Sequence, residues 1–203
     1  AVESGTYNRV LAIGADVLSK ITDWTDRSTC VLFGDGAGAA VVGPVRKGRG
    51  LLGTDLGADG ASGHLLTLPA GGSRKPASLE TIEGHEHFIS MQGNEVFKFA
   101  VRTMGETAQR SLSKCGLSPD DIDVFIPHQA NIRIIEAARR RLGVPEDKVF
   151  VNVDRYGNTS AASIPIALDE ALREGRIKDD DIVALVGFGA GLTWASAIMR
   201  WGR

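Results

Sequence analysis

From Asn94 to Trp201 the apolar residues switch repeatedly between helical and strand spacing, and this alternation limits the chain more than any other feature. Asn94–Lys114 carries Val96, Phe97, Ala100, Val101, Met104, Ala108 and Leu112 at helical spacing and closes at Gly116. Ser118-Pro119 leads into a strand at Asp123–Pro127, and a helix follows from Ile132 to Leu142, stopped by Gly143. A strand at Lys148–Val153, a helix from Ser160 to Glu174 stopped by Gly175, and strands at Asp181–Gly187 and Thr193–Trp201 complete the pattern. Such alternation predicts an α/β architecture with helices packed on a sheet.

Ahead of this region, Arg9–Val17 and Thr29–Val42 are apolar and β-branched enough for buried strands. Residues 46–90, rich in Gly, Pro and Ser, read as loops with one or two short strands. The chain starts AVESGTYN, with neither Met nor a helix start signal. A hydrophobic fraction of 43% with 24% charged residues describes a soluble globular protein. The formal charge of -2 gives no reason to expect nucleic acid or an anionic membrane surface as a partner. No apolar run is long enough to span a bilayer, and no signal peptide is visible. Two cysteines, Cys30 and Cys115, make no disulfide framework, so the expected location is cytoplasmic.

Chemistry concentrates in two loops. In VFIPHQANIRII, Val124–Ile135, a hydrophobic strand ends at Pro127 and His128, Gln129 and Asn131 crowd onto a short loop before a helix. Loops held between rigid elements are where functional side chains collect. In YGNTSAAS, Tyr156–Ser163, Asn158 precedes Thr159 and Ser160, both residue types that cap helices. The stretch fits a plain capped helix. It also fits a site in which Asn158 and His128 point into one pocket, an amide and a neutral imidazole donating to one carbonyl oxygen as it becomes an enolate.

Two glycine runs, FGDGAG at Phe33–Gly38 and GFGAG at Gly187–Gly191, follow apolar strands and precede apolar residues. Their spacing is not the G-x-G-x-x-G that brings pyrophosphate to a helix N-terminus, so no dinucleotide site is expected. Tight turns explain them, as does a duplicated unit. On the second reading the first copy has far fewer residues ahead of its turn, and the chain is expected to lack the front of its first half.

Together PHQANIR, GNTSAAS, FGDGAGAA, MQGNEVF and GFGAGLTWASA resemble the β-ketoacyl-acyl-carrier-protein synthase III family of the thiolase superfamily. The likeness runs along nearly the whole chain in the family's order and is weakest over residues 44–88. It implies a thiolase-like five-layer αβαβα sandwich of two similar halves, the first truncated here. Residues 1–45 would end the N-terminal half, 46–90 would hold connecting loops and short strands, and 91–203 would form the C-terminal half. It further implies a homodimer that condenses an acyl-CoA starter with malonyl-acyl-carrier protein, initiating type II fatty-acid or polyketide synthesis. Coenzyme A enters as a thioester substrate, and no cofactor is expected.

By the same resemblance His128 and Asn158 match two members of a Cys–His–Asn triad. The nucleophilic cysteine would lie just ahead of Ala1. Cys30, at a strand start, and Cys115, at a helix terminus, are read as structural. The backbone N–H of Ala190, where the family more often has glycine, would hold an oxyanion. Phe188 would disfavour the malonyl carboxylate and assist loss of CO2. Gly93, Asn94, Phe97, Ala130 and Asn131 would line the pantetheine tunnel, and Arg27 would pack on the adenine of CoA. Arg133, with Arg139, Arg140 and Arg141, would form a basic face on which Arg133 meets the acidic carrier protein. His85-Glu86-His87 lacks further ligands at suitable spacing, so no metal site is expected. Two other functions fit part of these features: a thiolase-fold acyltransferase without condensation, and a non-catalytic truncated partner.

Overall fold

The computed structural model describes residues 1–202. Its main sheet has four strands in the order β3-β8-β7-β6. These are β3 (Gly50–Ala58), β6 (Val124–Pro127), β7 (Ile182–Gly189) and β8 (Thr193–Arg200). β8 runs antiparallel to both β3 and β7, whereas β6 and β7 are parallel, with Val124 opposite Val183 and Pro127 opposite Val186. A parallel pair requires a crossover. Here the chain between β6 and β7 provides it as α3 (Ile132–Leu142), a helical turn α4 (Val153–Tyr156) and α5 (Ser163–Arg173).

Alternation along the strands sorts their side chains into two cores. Phe125, Ala184, Val186 and Ile198 face α2 (Gly93–Lys114) and α3, packing with Ala100, Met104, Ala108, Ile135 and Ala138. Val124, Ile126 and Val183 face the other way, against Ala167 and Ala171 of α5. These small residues let the α5 backbone lie close to the sheet, and on its far side α5 meets a second sheet. That sheet is the antiparallel pair of β1 (Val10–Asp16) and β2 (Gly36–Val42), with Leu11 opposite Val41 and Ile13 opposite Ala39. The 3-10 turn Ser160–Ala162 that leads into α5 meets this sheet so closely that a Cβ on Gly14 would sit 2.1 Å from the Ala161 carbonyl oxygen, so only glycine fits. The described layers are therefore helix, sheet, helix, sheet. Among the described residues no helix is long and apolar enough to cross a membrane.

Several expectations need correction. β1 and β2 are not buried on both faces: Leu11, Ile13 and Val41 are 58%, 65% and 68% exposed on the side away from α5. The strand expected at Thr29–Val42 begins only at Gly36, because residues 25–32 turn on side-chain hydrogen bonds. The Asp26 carboxylate accepts from Ser28 and Thr29 there. Phe33–Gly38 thus enters a strand from a turn, while Gly187–Gly191 leaves one, and the two glycine runs do not occupy equivalent settings. Residues 46–90 contain a nine-residue strand, β3, besides the two-residue pair β4 (Leu66–Thr67) and β5 (Ser90–Met91) and the short helix α1 (Leu79–Glu83). Lys148–Val153 is not a strand. A 3-10 turn occupies Glu146–Lys148, a single parallel bridge joins Val149 to Phe125, and the chain then enters α4.

β3 is held by more than its ladder. Asp55 is buried beneath α2, where Thr107 and Arg110 donate to one carboxylate oxygen at 2.8 and 2.9 Å and Lys114 to the other at 3.1 Å. Ser196 of β8 joins the same cluster through Thr107 and Ser111. Burial raises the Asp55 pKa, but the donated hydrogen bonds from Arg110, Thr107 and Lys114 outweigh it and bring it down to about 2.

Candidate active site

At the end of β6 the ladder continues one step, with His128 N donating to Val186 O at 2.7 Å. The chain then turns into α3 through Gln129, Ala130 and Asn131. Gln129 is fully buried and fixes this turn: its amide nitrogen donates to Pro127 O at 2.8 Å and Phe150 O at 3.3 Å, and its amide oxygen accepts from Asn152 N at 2.9 Å. Asn131 caps α3, its side-chain oxygen accepting from Ile134 N at 2.9 Å. His128 is left buried, with Nδ1 2.6 Å from Ser163 Oγ and its ring edge-on to Phe188, centroids 5.4 Å apart. Burial lowers its pKa to about 4, so the imidazole is neutral at pH 7.

Asn158 stands on the second loop, ahead of α5. Thr159 and Ser160 make no side-chain cap to the helix that follows, contrary to expectation. Instead the Asn158 side chain turns back on its own backbone and accepts from Ser160 N at 2.9 Å. A backbone N–H can only donate, so the atom facing it is the oxygen and the amide NH2 points elsewhere. Among the described residues that NH2 has no acceptor.

Both residues line one open cavity of about 1590 Å³, together with Gly93, Asn94, Phe97, Ala130, Asn131, Arg133, Phe188 and Ala190. Ten of the eleven site residues expected from the sequence are thus brought to one surface. Arg27 is the exception: it is exposed and does not line the cavity, although its neighbour Ser28 does. Neither cysteine lines the cavity. Cys30 lies in the turns ahead of β2 rather than at a strand start, and the Cys115 thiol donates to Ser111 O at the end of α2, its pKa raised by burial. The expected basic face is largely neutralised: Arg139 and Arg140 pair with Glu136, and Arg141 pairs with Glu106. Arg133 has no carboxylate partner among the described residues. His85 pairs with Asp23, and His87 hydrogen-bonds Thr81.

Sequence reasoning missed Ser163 and Gln129 as site residues, although both sit inside the stretches it singled out. No rule of spacing separates a buried glutamine that ties a loop from one that faces solvent.

Residues 112–201 match the profile of the 3-oxoacyl-[acyl-carrier-protein] synthase III C-terminal family, and residues 1–60 that of 3-oxoacyl-[acyl-carrier-protein] synthase III. The chain is 62% identical over 202 residues to a β-ketoacyl-[acyl-carrier-protein] synthase III of Caldanaerobacter subterraneus subsp. tengcongensis, covering all of this chain and 61% of that protein. The chain belongs to the synthase III family.

A solved β-ketoacyl-[acyl carrier protein] synthase III from Thermus thermophilus superposes with a TM-score of 0.89 at 54% identity, over 99% of this chain and 61% of that one. The priming β-ketosynthase of the R1128 polyketide biosynthetic pathway superposes at 0.85 with 37% identity, over 98% and 59%. The chain therefore spans about 61% of the length of such synthase III relatives. Their thiolase-like fold accounts for the layer order seen here.

Proposed function

We propose that this chain carries the enolate-stabilising half of a decarboxylating β-ketoacyl-acyl-carrier-protein synthase III. In this reading an acyl group passes from acyl-CoA to a cysteine thiolate, releasing CoA. The acyl-cysteine then meets malonyl-acyl-carrier protein. The malonyl C–C bond to the carboxylate breaks and CO2 leaves, and its electron pair becomes the enolate of the carrier-bound thioester. The enolate carbon attacks the acyl carbonyl, and the cysteine sulfur departs. The His128 imidazole and the Asn158 amide donate to the thioester oxygen where the enolate charge develops.

One observation carries this reading: a buried, neutral imidazole and a carboxamide with an uncommitted NH2 line the same cavity. Two neutral donors suit an oxyanion that forms and collapses within a turnover, because neither traps it as a full ion pair. Acyl transfer without condensation has no use for the second donor, so Asn158 favours the condensing enzyme. Phe188, edge-on to His128, gives the malonyl carboxylate an apolar neighbour and favours its loss.

The remaining assignments follow the same reading. Ala190 N–H serves the acyl-cysteine oxyanion; Gly93, Asn94, Phe97, Ala130 and Asn131 flank the pantetheine arm; exposed Arg27 meets the CoA adenine. Arg133, without an internal carboxylate partner, is the arginine of its helix available to an acidic carrier protein. The nucleophilic cysteine lies in the part of its relatives' length that this chain does not cover, and the complete protein acts as a homodimer. The test is decarboxylation of malonyl-acyl-carrier protein by the complete protein, followed with labelled malonyl carboxylate alongside acyl transfer from acyl-CoA. Acyl transfer with no CO2 release would leave the non-condensing acyltransferase as the better reading.

A further inference from the structure

Ser163, the first residue of α5, is 2% exposed, and its hydroxyl has two neighbours. The backbone N–H of Gln129 lies 3.3 Å from Oγ, and His128 Nδ1 lies 2.6 Å from it. We infer that Ser163 is a positioning residue for His128, its hydroxyl donating to Nδ1 and so keeping the imidazole in the tautomer that carries its proton on Nε2. The inference rests on the proposed role of His128 and concerns which residue prepares it for that role.

A hydroxyl has one hydrogen and two lone pairs. The Gln129 N–H can only donate, so it occupies a lone pair of Oγ and directs the hydroxyl hydrogen elsewhere. A helical serine commonly turns that hydrogen onto a carbonyl three or four residues back. Ser163 does not, and among the described residues His128 Nδ1 is its only acceptor. In the opposite tautomer Nδ1–H and the Gln129 N–H would both donate to Oγ, leaving the serine hydrogen buried with no acceptor. An unsatisfied buried donor disfavours a state by about tenfold or more in population.

The donor that sets this arrangement is itself fixed. Gln129 is tied by its side chain to Pro127, Phe150 and Asn152, so its N–H cannot swing away from Oγ without breaking those bonds. Phe188 packs edge-on to the imidazole and limits its tilt. Nε2 has no partner among the described residues, and His128 lines the cavity, so the proton on Nε2 is available to a bound carbonyl oxygen.

The test reads the tautomer directly. The complete protein is labelled with ¹⁵N-histidine, and the ring nitrogens of His128 are identified by their loss in His128→Ala. The unsubstituted protein is expected to show an unprotonated Nδ1 and a protonated Nε2 at pH 7. In Ser163→Ala the two signals should move toward the average of exchanging tautomers, and malonyl decarboxylation should fall about tenfold or more. Acyl transfer to the cysteine should hold, whereas general damage to the fold would lower both reactions. Ser163→Thr keeps the hydroxyl and should restore tautomer and rate together. A protonated Nδ1 in the unsubstituted protein overturns the inference, as does an unchanged tautomer in Ser163→Ala; if that variant does not fold, the spectra of the unsubstituted protein and Ser163→Thr decide. A fixed Nε2–H tautomer in a protein without condensing activity would sink the functional reading and leave the tautomer assignment standing.

Discussion

Phe33 and Asn158 are joined backbone to backbone by an isolated parallel bridge. Asn158 N donates to Leu32 O, and Gly34 N donates to Asn158 O, each at 2.9 Å. Asn158 is therefore held by its backbone through contacts with residues more than a hundred positions away, and by its side-chain oxygen through a local bond from Ser160 N. The segment ahead of β2 thus acts as a brace for a side chain of the C-terminal part.

The brace depends on Gly34. A Cβ there would sit 2.2 Å from the Tyr156 carbonyl oxygen, in backbone that has little room to yield. Gly34→Ala should destabilise the complete protein by about 1–3 kcal/mol in urea unfolding, the usual cost of overpacking. It should also lower malonyl decarboxylation at least tenfold, since displacing a fixed donor weakens a hydrogen bond that matters only in the transition state. Unchanged unfolding and unchanged turnover would show that Tyr156 yields freely and that the bridge does not position Asn158.

Removing either donor separates the two half-reactions. His128→Ala and Asn158→Ala should each reduce condensation and decarboxylation by about a hundred- to a thousand-fold, the cost of one preorganised oxyanion donor. Acyl transfer to the cysteine should survive in both, because a thiolate with a lowered pKa attacks a thioester without them. Stopped-flow acylation alongside CO2 release measures the two steps. An equal fall in both would overturn the division of roles.

The burial of His128 also has a signature in stability. Its pKa is about 4 folded, against an ordinary value of 6.5. Between those values the unfolded chain binds a proton that the folded one does not, so stability falls as pH drops from 6.5 and levels off near 4. The full difference amounts to about 3 kcal/mol. Urea midpoints at pH 7.5 and pH 5 should converge in His128→Ala relative to the unsubstituted protein. A pH dependence that is identical in the two proteins would mean that His128 takes up its proton in the folded state.

Asp55 behaves in the opposite sense. Its folded pKa of about 2 lies below the ordinary 3.8, so its contribution is present above pH 3.8 and is lost as pH falls toward 2. Asp55→Asn should destabilise the protein by about 2–3 kcal/mol at neutral pH. That is less than for a fully buried pair, because Arg110 and Lys114 remain about half exposed. The loss should shrink below pH 3, where the original carboxylate begins to protonate. A loss that stays constant down to pH 2 would assign the effect to packing instead.

The amino-acid sequence determined the elements whose partners are local. The helical spacing from Val96 to Leu112, the stop at Gly143 and the apolar runs at Val124–Pro127 and Ile182–Gly189 need no distant contact to be read. His128 and Asn158 were singled out by the patterns that flank them, although the strand expected ahead of Asn158 is instead the helical turn α4. Tertiary structure decided the rest. β3 contains Gly53, Asp55 and Gly57, a poor strand on propensity, and forms because β8 supplies its ladder and α2 supplies the donors that neutralise Asp55. Lys148–Val153 has the composition of a strand, but it gains only one bridge, to Phe125, and turns into α4. The pairing of Ser163 with His128 lay equally beyond the sequence, because a hydroxyl's hydrogen bond is set by which acceptor the packed chain brings within reach, and spacing does not encode that distance.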